Sequence, residues 1–139
     1  MPTGPDALDM DGDEDFDRLM DACQAGNERE VKISLGARVE LVNGYNSVWW
    51  TPIMKAALGG QPGVMQLLID AGADVDAANE KGTTALILAA YTSAEPQFVE
   101  CIKLLLKAGA DKSIKDTFGQ TAMDYATEDE HAVAMQLLQ

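Results

Sequence analysis

The chain has 139 residues and a mass of 14.9 kDa, with 47% hydrophobic and 24% charged residues, which allows one sizeable core, leaves little room for a second domain and excludes wholesale disorder. No apolar run approaches the roughly eighteen residues of a membrane span; the longest clean one is Ala85 to Ala90. The net charge of −13 is uneven, −8 over residues 1–30, zero over 31–115 and −5 over 116–139, a distribution that repels nucleic-acid and anionic-membrane phosphates and favours a basic protein as partner.

The first residues, MPTGPDALDMDGDEDFD, have no basic start followed by an apolar stretch, so the sequence predicts no secretory signal and a cytoplasmic or nuclear location. Residues 1–14 are too acidic and too poor in apolar surface to offset ordering entropy; the expectation is a flexible segment, unstructured before about Asp15. Asp9-Met-Asp-Gly-Asp13 opens like a calcium loop, but Glu14 stands where the turn glycine is needed and Met20 where the closing glutamate is needed.

From residue 51 onward the chain repeats itself. Thr51 to Gly72 and Thr84 to Gly109 align almost residue for residue, with four extra residues between the two helices of the later copy, and a third copy starts at Thr121. Thr51, Thr84 and Thr121 each precede a short apolar-periodic run, where a hydroxyl can accept from free helix N–H groups. Small residues, Ala56-Ala57 and Ala89-Ala90, allow close packing of these first helices. The second helices carry the stripes Val64, Met65, Leu67, Leu68 and Cys101, Ile102, Leu104, Leu105, and Gly72 and Gly109 supply the positive φ that ends them. Cys23 and Cys101 fall in apolar helical surroundings and read as small buried hydrophobes.

The residues Asn79-Glu-Lys-Gly-Thr-Thr-Ala-Leu86, Ala89-Ala90, Leu104-Leu-Leu106 and Gly109-Ala-Asp111, with Thr51-Pro52 and Gly72-Ala-Asp74 before them, resemble the ankyrin repeat. A starting cap is recognisable from Leu19 to Asn27, and Asp116 to Asp124 resembles a closing one. The resemblance implies an all-α solenoid of stacked helix pairs with short β-hairpin finger loops, filling residues 15–139 in units of about 16–45, 46–78, 79–115 and 116–139. Against the family pattern, Gly36 follows Val31 too soon and shortens the second helix of the first unit. The next finger then reads as longer and aromatic, with Trp49 in place of the turn glycine.

No nucleophile with a base, metal set or phosphate loop is legible: the single histidine, His131, sits among Glu128, Asp129 and Glu130, and no Lys-Ser/Thr follows Gly59-Gly60 or Gly63. The reading is a non-catalytic protein with no cofactor, which binds another protein as an adaptor, inhibitor, chaperone or small assembly subunit, either as a monomer or within a hetero-complex. A rival reading is an ion- or small-ligand-binding regulator using the acidic N-terminal segment. Family finger positions and first-helix ends, transferred to this chain, put the partner surface at Trp50, Trp49, Val48, Tyr45, Leu58, Tyr91, Lys81, Thr83 and Gln120, with Trp50 at its centre. A competing role for Trp49 and Trp50 is to fold over the shortened second helix and fill the gap it leaves.

Overall fold

The computed structural model describes residues 4–92 and 94–139. Most of the helices begin where the local chemistry supplies a start. Asp13 accepts from Phe16 N at 3.0 Å and opens α1, Glu14–Ala25; Asn27 accepts from Glu30 N at 3.1 Å and opens α2, Glu28–Ala37. Proline at the first turn, where a missing N–H costs nothing, starts α3, Pro52–Gly59, α4, Pro62–Asp70, and later α6, Pro96–Lys107. Between them Thr84 Oγ1 caps α5, Ala85–Tyr91, by accepting from Ile87 N. Thr121 and Asp124 cap α7, Ala122–Glu128, reciprocally, and α8 is Ala132–Leu138.

These eight helices among the described residues form four pairs in two rows. The first helices α1, α3, α5 and α7 pack in sequence, α2, α4, α6 and α8 pack behind them, and each pair packs on itself. The burial pattern repeats with the unit: Leu19, Met20, Ala22 and Cys23 of α1 are buried as are Ile53, Met54, Ala56 and Ala57 of α3, and Leu86, Ile87, Ala89 and Ala90 of α5. Small side chains set the spacing. A Cβ on Gly59 would lie 2.2 Å from Gln24 O, so α1 and α3 meet backbone to backbone with no room for a methyl group. Burial pushes the Cys23 and Cys101 thiols up to about 12, with Glu100 adding to the effect at Cys101, so both stay protonated and pack as hydrophobes.

Several expectations are corrected. Residues 1–3 lie outside the described residues, but from residue 4 the segment before Asp15 is built into the fold: β1, Leu8–Asp9, pairs in parallel with β2, Gly44–Tyr45, Met10 N donates to Tyr45 O at 2.9 Å, and the Met10 side chain is buried. The carboxylates expected to repel order are engaged. Arg38 Nη1 reaches Asp13 at 3.0 Å and Asp15 at 3.2 Å, and its Nε reaches Glu40 at 3.3 Å. The hydrogen bond from Phe16 N, followed by that from Arg38, holds the Asp13 carboxyl below its ordinary range.

Nor is the second helix of the first unit short. α2 runs through Gly36 to Ala37, Gly36 does not adopt positive φ, and the extra residues that follow form a 3₁₀ turn, Val39–Asn43, whose Leu41 and Val42 are buried. This turn packs against both α2 and α3. In the third unit the four added residues mostly lengthen a helix: α6 has 12 residues against 9 in α4, and Phe98 on its first turn reaches back over Gly60. Ser93, at the start of that insertion, lies outside the described residues. Leu67 and Leu104 are half-buried flank residues, while Leu68 and Leu105 are the fully buried positions.

The hydroxyl of Thr51 departs from its counterparts. Thr51 sits at the cap of α3 and is 4% exposed, yet its Oγ1 makes no hydrogen bond, whereas Thr84 and Thr121 accept from Ile87 N and Asp124 N. A buried hydroxyl without a partner carries its desolvation cost unreturned, and an isosteric apolar replacement removes that cost. Thr51→Val is therefore expected to leave the urea midpoint unchanged or raise it, while Thr84→Val lowers stability by about 1 kcal/mol through loss of the cap.

The finger face as candidate functional site

Three turns of five residues project between successive units, and one chemistry builds them all. In the first, Asn46 N donates to Trp50 O at 3.2 Å and Trp49 N to Asn46 O at 2.9 Å; in the second, Asn79 N donates to Thr83 O at 3.1 Å and Gly82 N to Asn79 O at 2.9 Å. The third repeats this with Asp116, Gly119 and Gln120, both bonds being 2.9 Å. Within each turn the leading side chain accepts two further N–H groups: Asn46 Oδ1 from Val48 and Trp50, Asn79 Oδ1 from Lys81 and Thr83, Asp116 Oδ1 from Phe118 and Gln120. The residue before the last is left-handed throughout, with φ of 64° at Trp49, 72° at Gly82 and 76° at Gly119.

Trp49 thus occupies the glycine position of the turn. A side chain there costs about 1–2 kcal/mol. The first finger is not longer than the others; its extra spacing is absorbed upstream by Val39–Asn43. Backbone hydrogen bonds join finger to finger: Glu80 N donates to Val48 O at 3.3 Å and Thr117 N to Lys81 O at 2.9 Å. The hairpin character is slight, with one isolated antiparallel bridge among the described residues, Ala78 to Thr84, flanking the second finger.

The side chains expected to bind a partner separate into classes. Tyr45 is corrected: at 7% exposure it is buried, because β2 carries it inward beneath the β1 pairing. Trp50 is half-buried and packs on the core at the position where α1 has the fully buried Phe16, with Lys55 Nζ 5.0 Å from its ring centroid. Trp49, Leu58, Thr83 and Gln120 are half-buried. Lys81 is exposed, Val48 is 38% exposed and Tyr91 60%. Phe118, not among the expected binding residues, is 74% exposed at the finger position equivalent to Val48 and Lys81. A closing cap of the resembled family commonly uses that position for packing, so the sequence alone does not separate Phe118 from a core residue.

Side-chain contacts tie fingers to first helices. Tyr125 of α7 donates its hydroxyl to Asp116 Oδ2 and meets Tyr91 of α5 edge to face at 5.7 Å between centroids; Gln120 Nε2 lies 3.5 Å from Glu128 Oε2. Burial pushes the Asp116 carboxyl up, but the hydrogen bonds from Tyr125, Gln120 and Phe118 together outweigh it and hold the group below its ordinary value. The same bond to Asp116, helped by burial and the charges of Asp116 and Glu128, pushes the Tyr125 hydroxyl up to about 12. No cluster of three or more metal-ligating side chains occurs among the described residues.

Two rows of stacked helices with locked turns between units define a helical-repeat solenoid. Residues 19–116 match the family model described as ankyrin repeats (3 copies). The chain belongs to the ankyrin-repeat family. It is similar to the ankyrin repeat, SAM and basic leucine zipper domain-containing protein 1 of Carollia perspicillata, 32% identical over 82 residues, which cover 59% of this chain and 17% of that protein. The protein of the same name from Saimiri boliviensis boliviensis is 26% identical over 119 residues, 86% of this chain and 25% of its own length. The chain therefore spans a quarter or less of these relatives. Ankyrin repeats are generally protein–protein interaction modules, and the family is typically non-catalytic.

The depressed Asp116 carboxyl has a pH consequence. Because its folded value lies below its unfolded one, the stability it contributes is fully present above the ordinary value of 3.8 and is lost as pH falls through the folded value. Asp116→Asn keeps an acceptor for Phe118 and Gln120 N–H, as Asn46 and Asn79 do, but cannot titrate. The stability difference between wild type and this variant, from urea unfolding across pH, is expected to be largest near neutrality and to shrink below about pH 4.

Proposed function

We propose that this chain is a non-catalytic binding module that holds a protein partner on the face formed by its fingers and first helices, acting by occupying or bridging that partner. The observation that carries the reading is the continuity of this face: Val48, Leu58, Tyr91 and Phe118 expose apolar surface from units that are joined by finger hydrogen bonds and by the Tyr91–Tyr125 contact. Aromatic side chains held by their neighbours lose little entropy on binding, which is why they concentrate at interface centres. Trp50 supports the surface from below, with Lys55 over its ring, and Lys81, Thr83 and Gln120 line the finger positions around it.

The rival use of the acidic segment as an ion site is disfavoured by what its carboxylates already do. Asp13 caps α1 and binds Arg38, Asp15 binds Arg38 and Arg18, and Asp9 accepts from Asp11 N. A cytoplasmic or nuclear location is part of the proposal, motivated by two buried reduced thiols.

Affinity capture from a native lysate with three baits tests the reading: wild type, Tyr91→Ala with Val48→Ser, and Ile33→Ser with Val133→Ser on the second-helix side. The finger-face variant is expected to lose captured protein by tenfold or more, about 1.4 kcal/mol, while its melting temperature falls only slightly through loss of the Tyr91–Tyr125 contact. Retention by the finger-face bait and loss by the other would move the interface to the second helices.

A further inference from the structure

The finger face has a charge pattern as well as an apolar centre, and the pattern specifies an occupant. Gly26 and Gly60, both left-handed, end α1 and α3 at equivalent positions, and the matching burial of the two helices fixes the register. Asp21 of α1 is thereby equivalent to Lys55, Leu88 and Tyr125, and Gln24 to Leu58, Tyr91 and Glu128. Read across the stack, the line begins with exposed Asp21 and Gln24 on α1, turns apolar with half-buried Leu58 and Leu88 and exposed Tyr91 on α3 and α5, and ends with half-buried Tyr125 and exposed Glu128 on α7. The one cation in its middle, Lys55, lies over the Trp50 ring.

The acids at the two ends have no lysine or arginine partner among the described residues, although Glu128 also lies 3.5 Å from Gln120 Nε2. Asp17 and Asp21 are exposed one helical turn apart on α1, a like-charge spacing that works against the helix. Neither joins an ion pair among the described residues; Arg18 and Arg38 instead engage Asp13, Asp15 and Glu40. At the far end Glu128 and Asp129 are exposed, with Glu130 following, and residues 116–139 contain no lysine or arginine. Net negative charge at both ends of an apolar strip is complementary to a ligand of opposite charge at both its ends.

Resting on the binding reading above, we propose that the occupant is an extended protein segment of about nine residues with basic side chains at both ends and large apolar side chains in the middle. The length follows from the stack. Neighbouring packed helices lie about 8–10 Å apart, so α1 to α7 covers about 24–30 Å; an extended chain at about 3.3 Å per residue crosses that in about seven to nine residues. Its basic ends meet Asp17 and Asp21 at one side and Glu128 and Asp129 at the other, while its centre lies against Leu58 and Tyr91.

Fluorescence anisotropy of the full chain with three labelled nonapeptides tests this: RKSLFLSKR, the acidic-ended EDSLFLSDE and the apolar-depleted RKSSSSSKR. The first is expected to bind at least tenfold more tightly than either other at physiological salt. Asp17→Asn with Asp21→Asn, and Glu128→Gln with Asp129→Asn, are each expected to weaken it several-fold and flatten its salt dependence, with melting curves confirming the fold of both variants. Equal binding of RKSSSSSKR, equal binding of EDSLFLSDE, or no binding of any peptide overturns the proposal. If EDSLFLSDE binds best and Tyr91→Ala weakens it tenfold, the charge pattern is wrong and the finger-face reading stands. If peptide binding ignores Tyr91→Ala and is lost with Ile33→Ser and Val133→Ser, both fall.

Discussion

In each finger a single side-chain oxygen, Asn46 Oδ1, Asn79 Oδ1 or Asp116 Oδ1, gathers two backbone N–H groups, and the main chain closes the same five residues with two more bonds. Four hydrogen bonds over five residues leave the turn one shape. That uniformity lets Glu80 N and Thr117 N meet the carbonyls of Val48 and Lys81 in the preceding finger. The fingers accordingly stand in register with the first helices, and a surface built from separate units becomes one face. Without the Asx oxygen the exposed side chains would sit on independent loops, and ordering them would oppose binding.

The same constraint explains how a tryptophan is tolerated at the left-handed position. In the second and third fingers Gly82 and Gly119 adopt that conformation freely; in the first, the bonds of Asn46 with Val48, Trp49 and Trp50 over-determine the turn and hold Trp49 at φ 64°. Trp49 and Trp50 then diverge in role. Trp50 descends to the level at which α1 keeps Phe16, and Val48 is left as the exposed apolar residue of that finger.

Much of this was legible because repeats place equivalent residues at equivalent positions. The spacing of Thr51, Thr84 and Thr121, the paired alanines and the glycines at 72 and 109 located the helix pairs, and Trp49 was recognisable as the residue standing where a turn glycine belongs. The first unit was misread at Gly36, taken as a helix end by analogy with Gly72 and Gly109; no tight turn needs it there, and the helix continues through it. The acidic segment was misread for another reason. Its charge argued for disorder, but a single arginine, Arg38, 23 to 25 residues away from Asp15 and Asp13, and a two-residue strand pairing with Gly44–Tyr45 tie it down. Both partners are distant in sequence and neither has a periodic signal. Tyr45 failed as a surface residue through the same pairing.

The account stands on the fingers being locked to one another, and amide hydrogen exchange of the wild-type chain followed by NMR measures that directly. The amides of Glu80 and Thr117, which bridge fingers, and those of Trp49, Gly82 and Gly119, which close them, are expected to exchange slowly, at rates comparable to one another and approaching those of the first helices. Exchange of Glu80 and Thr117 at the rate of an unstructured peptide, with the helices still protected, would mean that the fingers move independently, and the single continuous face would be contradicted.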